Sequence, residues 1–104
     1  MILSINDSPL NNKRFRATIK LENGNKRFID FGYKKGQIFG KTYIDGATPT
    51  ERENYWARHT KNKIEKTLID GLILSPATLS AFLLWGPFRN IHANKSYLNY
   101  LLKK

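Results

Sequence analysis

The chain has two histidines, His59 and His92, far apart, and neither stands at a metal-ligand spacing from another donor. No His-Glu-x-x-His run occurs. The carboxylates Asp30, Asp45, Glu51, Glu53, Glu65 and Asp70 are scattered, so a metal or acid–base centre exists only if the fold gathers them. His59, next to Arg58, can act as a base on a phosphodiester, and can equally be a half-exposed helix residue. Gly36-Gln37-Ile38-Phe39-Gly40-Lys41-Thr42 is one residue short of a phosphate-binding loop and lacks the flanking strand and crossover helix. It reads as a surface loop, with Lys41-Thr42-Tyr43-Ile44 as a short strand. No Gly-x-Ser-x-Gly elbow is present. With no cysteine, thiol nucleophiles, disulfides and Cys-based zinc sites are excluded. The expectation is a non-enzymatic protein with no catalytic residues, no metal and no small-molecule cofactor.

The residues that remain informative are basic. The chain carries 18 Lys+Arg against 8 Asp+Glu, a net +10. The excess is +3 over residues 1–31, +2 over 32–60 and +5 over 61–104, so it is not a charged tail. A field of this sign attracts polyanions or an acidic protein face, though a merely basic surface is the plain alternative. The candidate contacts to nucleic acid or an acidic partner are Arg14, Arg16, Lys20 and Lys26, with Arg52, Arg58, Lys61 and Lys63 as a second patch. Candidate protein contacts are Trp56, Trp85, Tyr97 and Leu101.

The elements that would position these residues begin with strands. Phe15, Ala17, Ile19 and Leu21 alternate with Arg14, Arg16, Thr18 and Lys20, the period-two signature of a strand. A return strand over residues 26–31 follows the Glu22-Asn23-Gly24-Asn25 turn. A three-residue loop, Asn23 to Asn25, pairs Ile19 with Ile29 and Ala17 with Phe31, leaving Arg27 at the open end of the apolar face. Residues 1–5 are apolar and are cut by Asp7-Ser8-Pro9.

Two helix starts are marked. Thr48-Pro49-Thr50-Glu51 forms a capping box with proline at the first helical position, opening a helix expected to run towards Ile64. Ser75-Pro76 opens a short apolar helix, expected to be buried, that Gly86-Pro87 ends. A last amphipathic helix spans about residues 91–102, with Lys103-Lys104 suiting its C-terminus. Asn6-Asp7-Ser8 and Asn94-Lys95-Ser96 match the glycosylation pattern, weakly without a secretory signal. No apolar run approaches a membrane span. The expected fold class is α+β: a small N-terminal antiparallel β-hairpin or sheet, then two or three short helices. Residues 1–12 are read as an arm or edge strand, and 13–104 as a single small α+β domain.

Thr42-Tyr43-Ile44-Asp45-Gly46-Ala47 with Arg52 to His59, and Leu74 to Gly86 with its Leu-Leu-Trp-Gly end, carry a resemblance. From about Lys13 to Leu101 the chain resembles a family of small basic uncharacterised proteins encoded by nucleocytoplasmic large double-stranded DNA viruses. Tyr55, Arg58 and His59 match the first segment, and Pro76, Leu84, Trp85 and Gly86 the second, all read as mainly structural. Trp56 departs from the pattern and marks a possible exposed contact. The resemblance implies a viral setting. The expected function is a minor capsid or internal virion protein, located in the virion and, during assembly, in the host cytoplasm or nucleus. Its expected partners are capsid and other viral structural proteins. The alternatives are a sequence-independent nucleic-acid-binding protein on the viral DNA, and a small phosphodiester-cleaving enzyme.

Overall fold

A computed structural model describes residues 1–103. The N-terminal half is a three-stranded antiparallel meander of β1 (Ile2–Asp7), β2 (Lys13–Lys20) and β3 (Lys26–Tyr33), in that order. The helical half is α1 (Pro49–His59), α2 (Lys63–Asp70), α3 (Pro76–Leu79) and α4 (Ile91–Leu102). Residues Ser80–Leu84 extend α3 as a single π turn. The architecture is α+β, with several short helices after the sheet.

One sheet face meets the α3–π segment and α4. Ala17, Ile19, Ile29 and Phe31 alternate onto it and pack with Ile2, Leu79, Leu83, Leu84 and Leu98. Removing these apolar side chains from water is what holds the two layers together. The first residues form the edge strand β1, and α4 fastens it. The Asn99 amide accepts from the Ile2 N–H at 2.8 Å and donates to the Ile2 carbonyl at 3.0 Å, standing in for a strand partner. The last helix therefore docks on its own sheet; Lys104 lies outside the described residues.

The hairpin turn corrects the expected register. Phe15 faces Phe31, Ala17 faces Ile29 and Ile19 faces Arg27. The loop does hold three residues, but they are Glu22 to Gly24: the Leu21 N–H donates to the Asn25 carbonyl, and Gly24 takes the left-handed φ of 86°. The register moves by two, so every side chain keeps its face. Arg27 is exposed at the open end, as its position implied.

Three further expectations change. Residues 43–45 form a 3₁₀ turn rather than a strand, because Asp45 folds back to accept from the Thr42 N–H and hydroxyl. The helix opened by Thr48 stops at His59, not near Ile64. The Asn62 side chain accepts from the Ile64 and Glu65 N–H groups and starts α2, an element absent from the sequence reading. Asn94 is fully buried with its amide engaged, so it is no glycosylation acceptor.

Candidate functional site

The end of the sheet farthest from the hairpin turn faces the C-terminal end of α1 across an open cleft of about 320 Å³. Arg14, Tyr33, Lys41, Tyr55, Arg58, His59, Ser80 and Trp85 are on its walls. A hollow of about 350 Å³ shares Tyr33, Tyr55, His59 and Ser80 with it, and adds Lys13 and Glu65. The two make one groove around His59 and Tyr55.

The groove's floor is a ring stack built by α1 spacing and the π turn. Tyr55 and His59, four residues apart, have centroids 4.1 Å apart, and Trp85 stacks on Tyr55 at 4.6 Å and 7°. Burial, reinforced by the Glu65 charge and eased by Arg58, pushes the Tyr55 phenol up to about 12, so it stays neutral. The His59 Nδ1 lies 2.5 Å from the Glu65 carboxylate, which ties the end of α1 to the first turn of α2. Its Nε2 has no hydrogen-bond partner among the described residues. The fold thus joins one of the scattered acids to His59. Asp30, Asp45, Glu51 and Asp70 instead bind Arg16, Arg14, the Thr48 N–H and Lys66. Among the described residues no three His, Asp or Glu side chains gather as a metal site.

The predicted basic residues divide into three sets. Arg14, Arg16 and Arg52 are engaged internally. Arg14 is bidentate on Asp45 at 2.7 and 2.5 Å, with its guanidinium 3.8 Å from the centre of the Phe39 ring. Arg16 is bidentate on Asp30 at 3.0 and 3.1 Å. The hydrogen bond from Arg16, joined by one from Ser8, holds the Asp30 carboxyl below its usual range. Arg52 donates to the Trp85 and Gly86 carbonyls at 3.0 and 2.9 Å. The alternating basic face of β2 is therefore not a row of free cations. Lys20 and Lys26 form a second set, facing each other at the hairpin end. That end is roughly 23 Å along β3 from Tyr33. Arg58, Lys61 and Lys63 form the third, exposed around the cleft end of α1. Lys13 and Lys41, on the groove walls, were not singled out by sequence. Neither they nor Arg58 has a carboxylate within ion-pair distance among the described residues. Lys41 carried a signal in the shortened glycine loop. Tyr33 carried none, because the left-handed Gly32 (φ 82°) interrupts the alternation just before it.

The predicted protein contacts also divide. Trp56 is not an exposed anchor: its indole N–H donates to the Trp85 carbonyl at 2.8 Å and its ring meets Phe82 edge-on. Trp85 is held in the Tyr55 stack. Tyr97 is partly exposed on α4, edge-on to Phe88, and Leu101 is half-buried.

The Arg14–Asp45 pair fixes the Lys41 wall, and its strength is measurable. Burial alone would raise the Asp45 carboxyl, but the hydrogen bonds from Arg14 and Thr42 outweigh it and bring it from 3.8 to about 2. Stability from this group is present above pH 3.8 and fades as pH falls towards 2. Asp45→Asn is expected to lower unfolding free energy by about 2 kcal/mol at pH 7, the figure for a buried pair discounted for the group's partial exposure. Urea titrations at pH 7, 4 and 2.5 should show the gap to the parent protein closing on acidification. A constant gap would contradict the assigned ion pair.

No helix among the described residues is long and apolar enough to cross a membrane. The comparison with curated proteins finds no match, and neither does the comparison with solved structures. A family of unknown function, DUF5754, matches residues 3–59, taking in β1 from its second residue, β2, β3, the 3₁₀ turn and α1 and ending at His59. The match begins before Lys13 and includes the edge strand, and it covers more than half of the chain. The protein therefore belongs to this family of unknown function, DUF5754.

Proposed function

We propose that the protein binds nucleic acid without sequence preference, holding the phosphate backbone along the groove between the end of the sheet and α1. The observation that carries this reading is the local imbalance of charge. Glu65 on the groove wall is bound to His59, and Asp45 behind it to the wall residue Arg14, while Lys13, Lys41 and Arg58 remain unpaired by carboxylates among the described residues. Lys61 and Lys63 extend the same sign past the end of α1. Phosphate contacts of this kind set affinity rather than sequence, and they release counterions.

Fluorescence anisotropy with a labelled oligonucleotide tests it. Binding is expected at about 50 mM salt, falling steeply as salt rises. The double variant Lys41→Glu/Arg58→Glu should weaken it about 10-fold or more, with the fold retained by circular dichroism and a melting temperature lower by no more than several degrees, because both side chains are exposed. Charge reversal at the hairpin end, Lys20→Glu/Lys26→Glu, should have the smaller effect. No binding at low salt, or equal displacement by polyglutamate and by unlabelled nucleic acid, would sink the reading in favour of a generic basic surface or an acidic protein partner.

A second reading is a minor structural component of a large DNA virus particle, contacting neighbouring capsid proteins. The viral resemblance supports it, together with a hollow of about 430 Å³ in which Trp56, Ile69, Leu72, Phe82, Pro87 and Tyr97 are joined by Arg52 and Asp70. Quantitative mass spectrometry of purified particles should then find the protein at fixed copy number. Its absence from them would remove this reading.

A further inference from the structure

We infer that the groove is built for single-stranded rather than double-stranded nucleic acid, with one base stacked on Tyr33. This rests on the nucleic-acid reading above and adds the class of strand. Tyr33 ends β3 on the groove wall and is 71 % exposed, with no ring partner among the described residues. An aromatic ring left so open beside Lys13, Lys41 and Arg58 is the combination that single-strand binders use: cations follow the backbone while a ring takes a base face. The other rings at the groove are already occupied. Tyr55 packs against both His59 and Trp85, so these three rings are spent on one another. Stacking is therefore assigned to Tyr33 alone.

Size argues the same way. The two hollows, of about 320 and 350 Å³, each suit a ligand of drug size, about one nucleotide. A duplex keeps its base faces inside its own stack and cannot offer one to Tyr33. Its contacts here are confined to phosphates and groove edges, neither of which uses the face of the Tyr33 ring.

The test compares a labelled single-stranded 12-mer with the duplex of the same sequence, at one ionic strength, on the parent protein, Tyr33→Ala and Tyr33→Phe. The single strand is expected to bind at least about 5-fold more tightly than the duplex. Tyr33→Ala should lose about 5-fold or more on the single strand and leave the duplex unchanged, while Tyr33→Phe restores the preference. Equal affinity for the two forms, or an equal loss on both in Tyr33→Ala, overturns the stacking assignment and leaves the charge-based reading standing. If neither form binds, the charge-based reading and the stacking assignment are both removed.

Discussion

Gly86→Ala is expected to remove a large part of the protein's stability, at least about 4 kcal/mol, which places it in the tail reserved for severe core changes. A Cβ at Gly86 would lie 2.1 Å from the Phe82 carbonyl oxygen and 2.7 Å from the Asn94 side-chain carbon and oxygen. Neither neighbour can give way cheaply. The Phe82 oxygen is backbone inside the π turn, and Asn94 is fully buried with its amide bonded on all sides. The Gly86 carbonyl also accepts from Arg52, so moving this residue drags α1 with it. A domain of this size holds about 5–15 kcal/mol in total, so the variant should melt at least about 15 °C below the parent when followed by circular dichroism. Gly40→Ala is the control, because its Cβ meets nothing within 4 Å and its φ is ordinary. It should stay within about 0.5 kcal/mol of the parent. A Gly86→Ala protein that unfolds within about 1 kcal/mol of the parent would contradict the close packing of this turn on α4.

The same turn shows where sequence reasoning succeeds and where it ends. Helix starts are local, so Thr48-Pro49-Thr50-Glu51 and Ser75-Pro76 could be read directly, and both caps form as their residue types require. The alternation of β2 with Phe31 and Ile29 of β3 likewise exposes the core face, because a period of two needs no tertiary knowledge. The register slipped by two because Ile19 opposite Ile29 looked the better match. Ile19 in fact faces Arg27, since the hairpin end runs past the helices and leaves Leu21 39 % exposed. Where a covering layer stops is a tertiary fact. The break at Thr60–Asn62 was lost for a different reason: Asn62 as a cap competes with a helix that nothing nearby forbids.

The groove was only partly legible. Its cations were visible as a charge excess, but their pairing was not. Arg14, Arg16 and Lys20 alternate identically in sequence, yet Asp45 and Asp30 claim the first two and no carboxylate among the described residues claims Lys20. Trp56 reads as an exposed contact because it departs from the pattern of the resembling family. It packs because the π turn presents the Trp85 carbonyl to its indole, a geometry set by residues about thirty positions away. His59 and Glu65 met because two short helices replaced one long one. The site thus depends on chain breaks and carbonyl directions more than on motifs.

Asn94→Asp should be the second most damaging substitution, by about 3–5 kcal/mol at pH 7, although it changes the side chain's shape very little. Asn94 is a hub between α4 and the loop before it. Its oxygen accepts from the Phe88 N–H at 2.9 Å, and its NH₂ donates to the Leu83 and Phe88 carbonyls at 3.0 and 2.8 Å. Aspartate preserves the acceptor and turns the donor into a second acceptor, aimed at two carbonyl oxygens in a site with no exposure. Burial and those oxygens would raise the folded-state pKa above its unfolded value of about 3.9. The penalty is therefore largest above the folded pKa and shrinks as pH falls towards the unfolded one, where a protonated carboxyl can donate to one carbonyl. Urea titrations of parent and variant, compared pairwise at pH 7.5, 6 and 4.5, should show the difference narrowing with acid. Asn94→Leu removes the charge, so its deficit should stay flat with pH. A flat profile for Asn94→Asp as well, or a loss below about 1 kcal/mol at pH 7.5, would contradict the assigned donors and the buried hub that fixes α4 to the turn behind the groove.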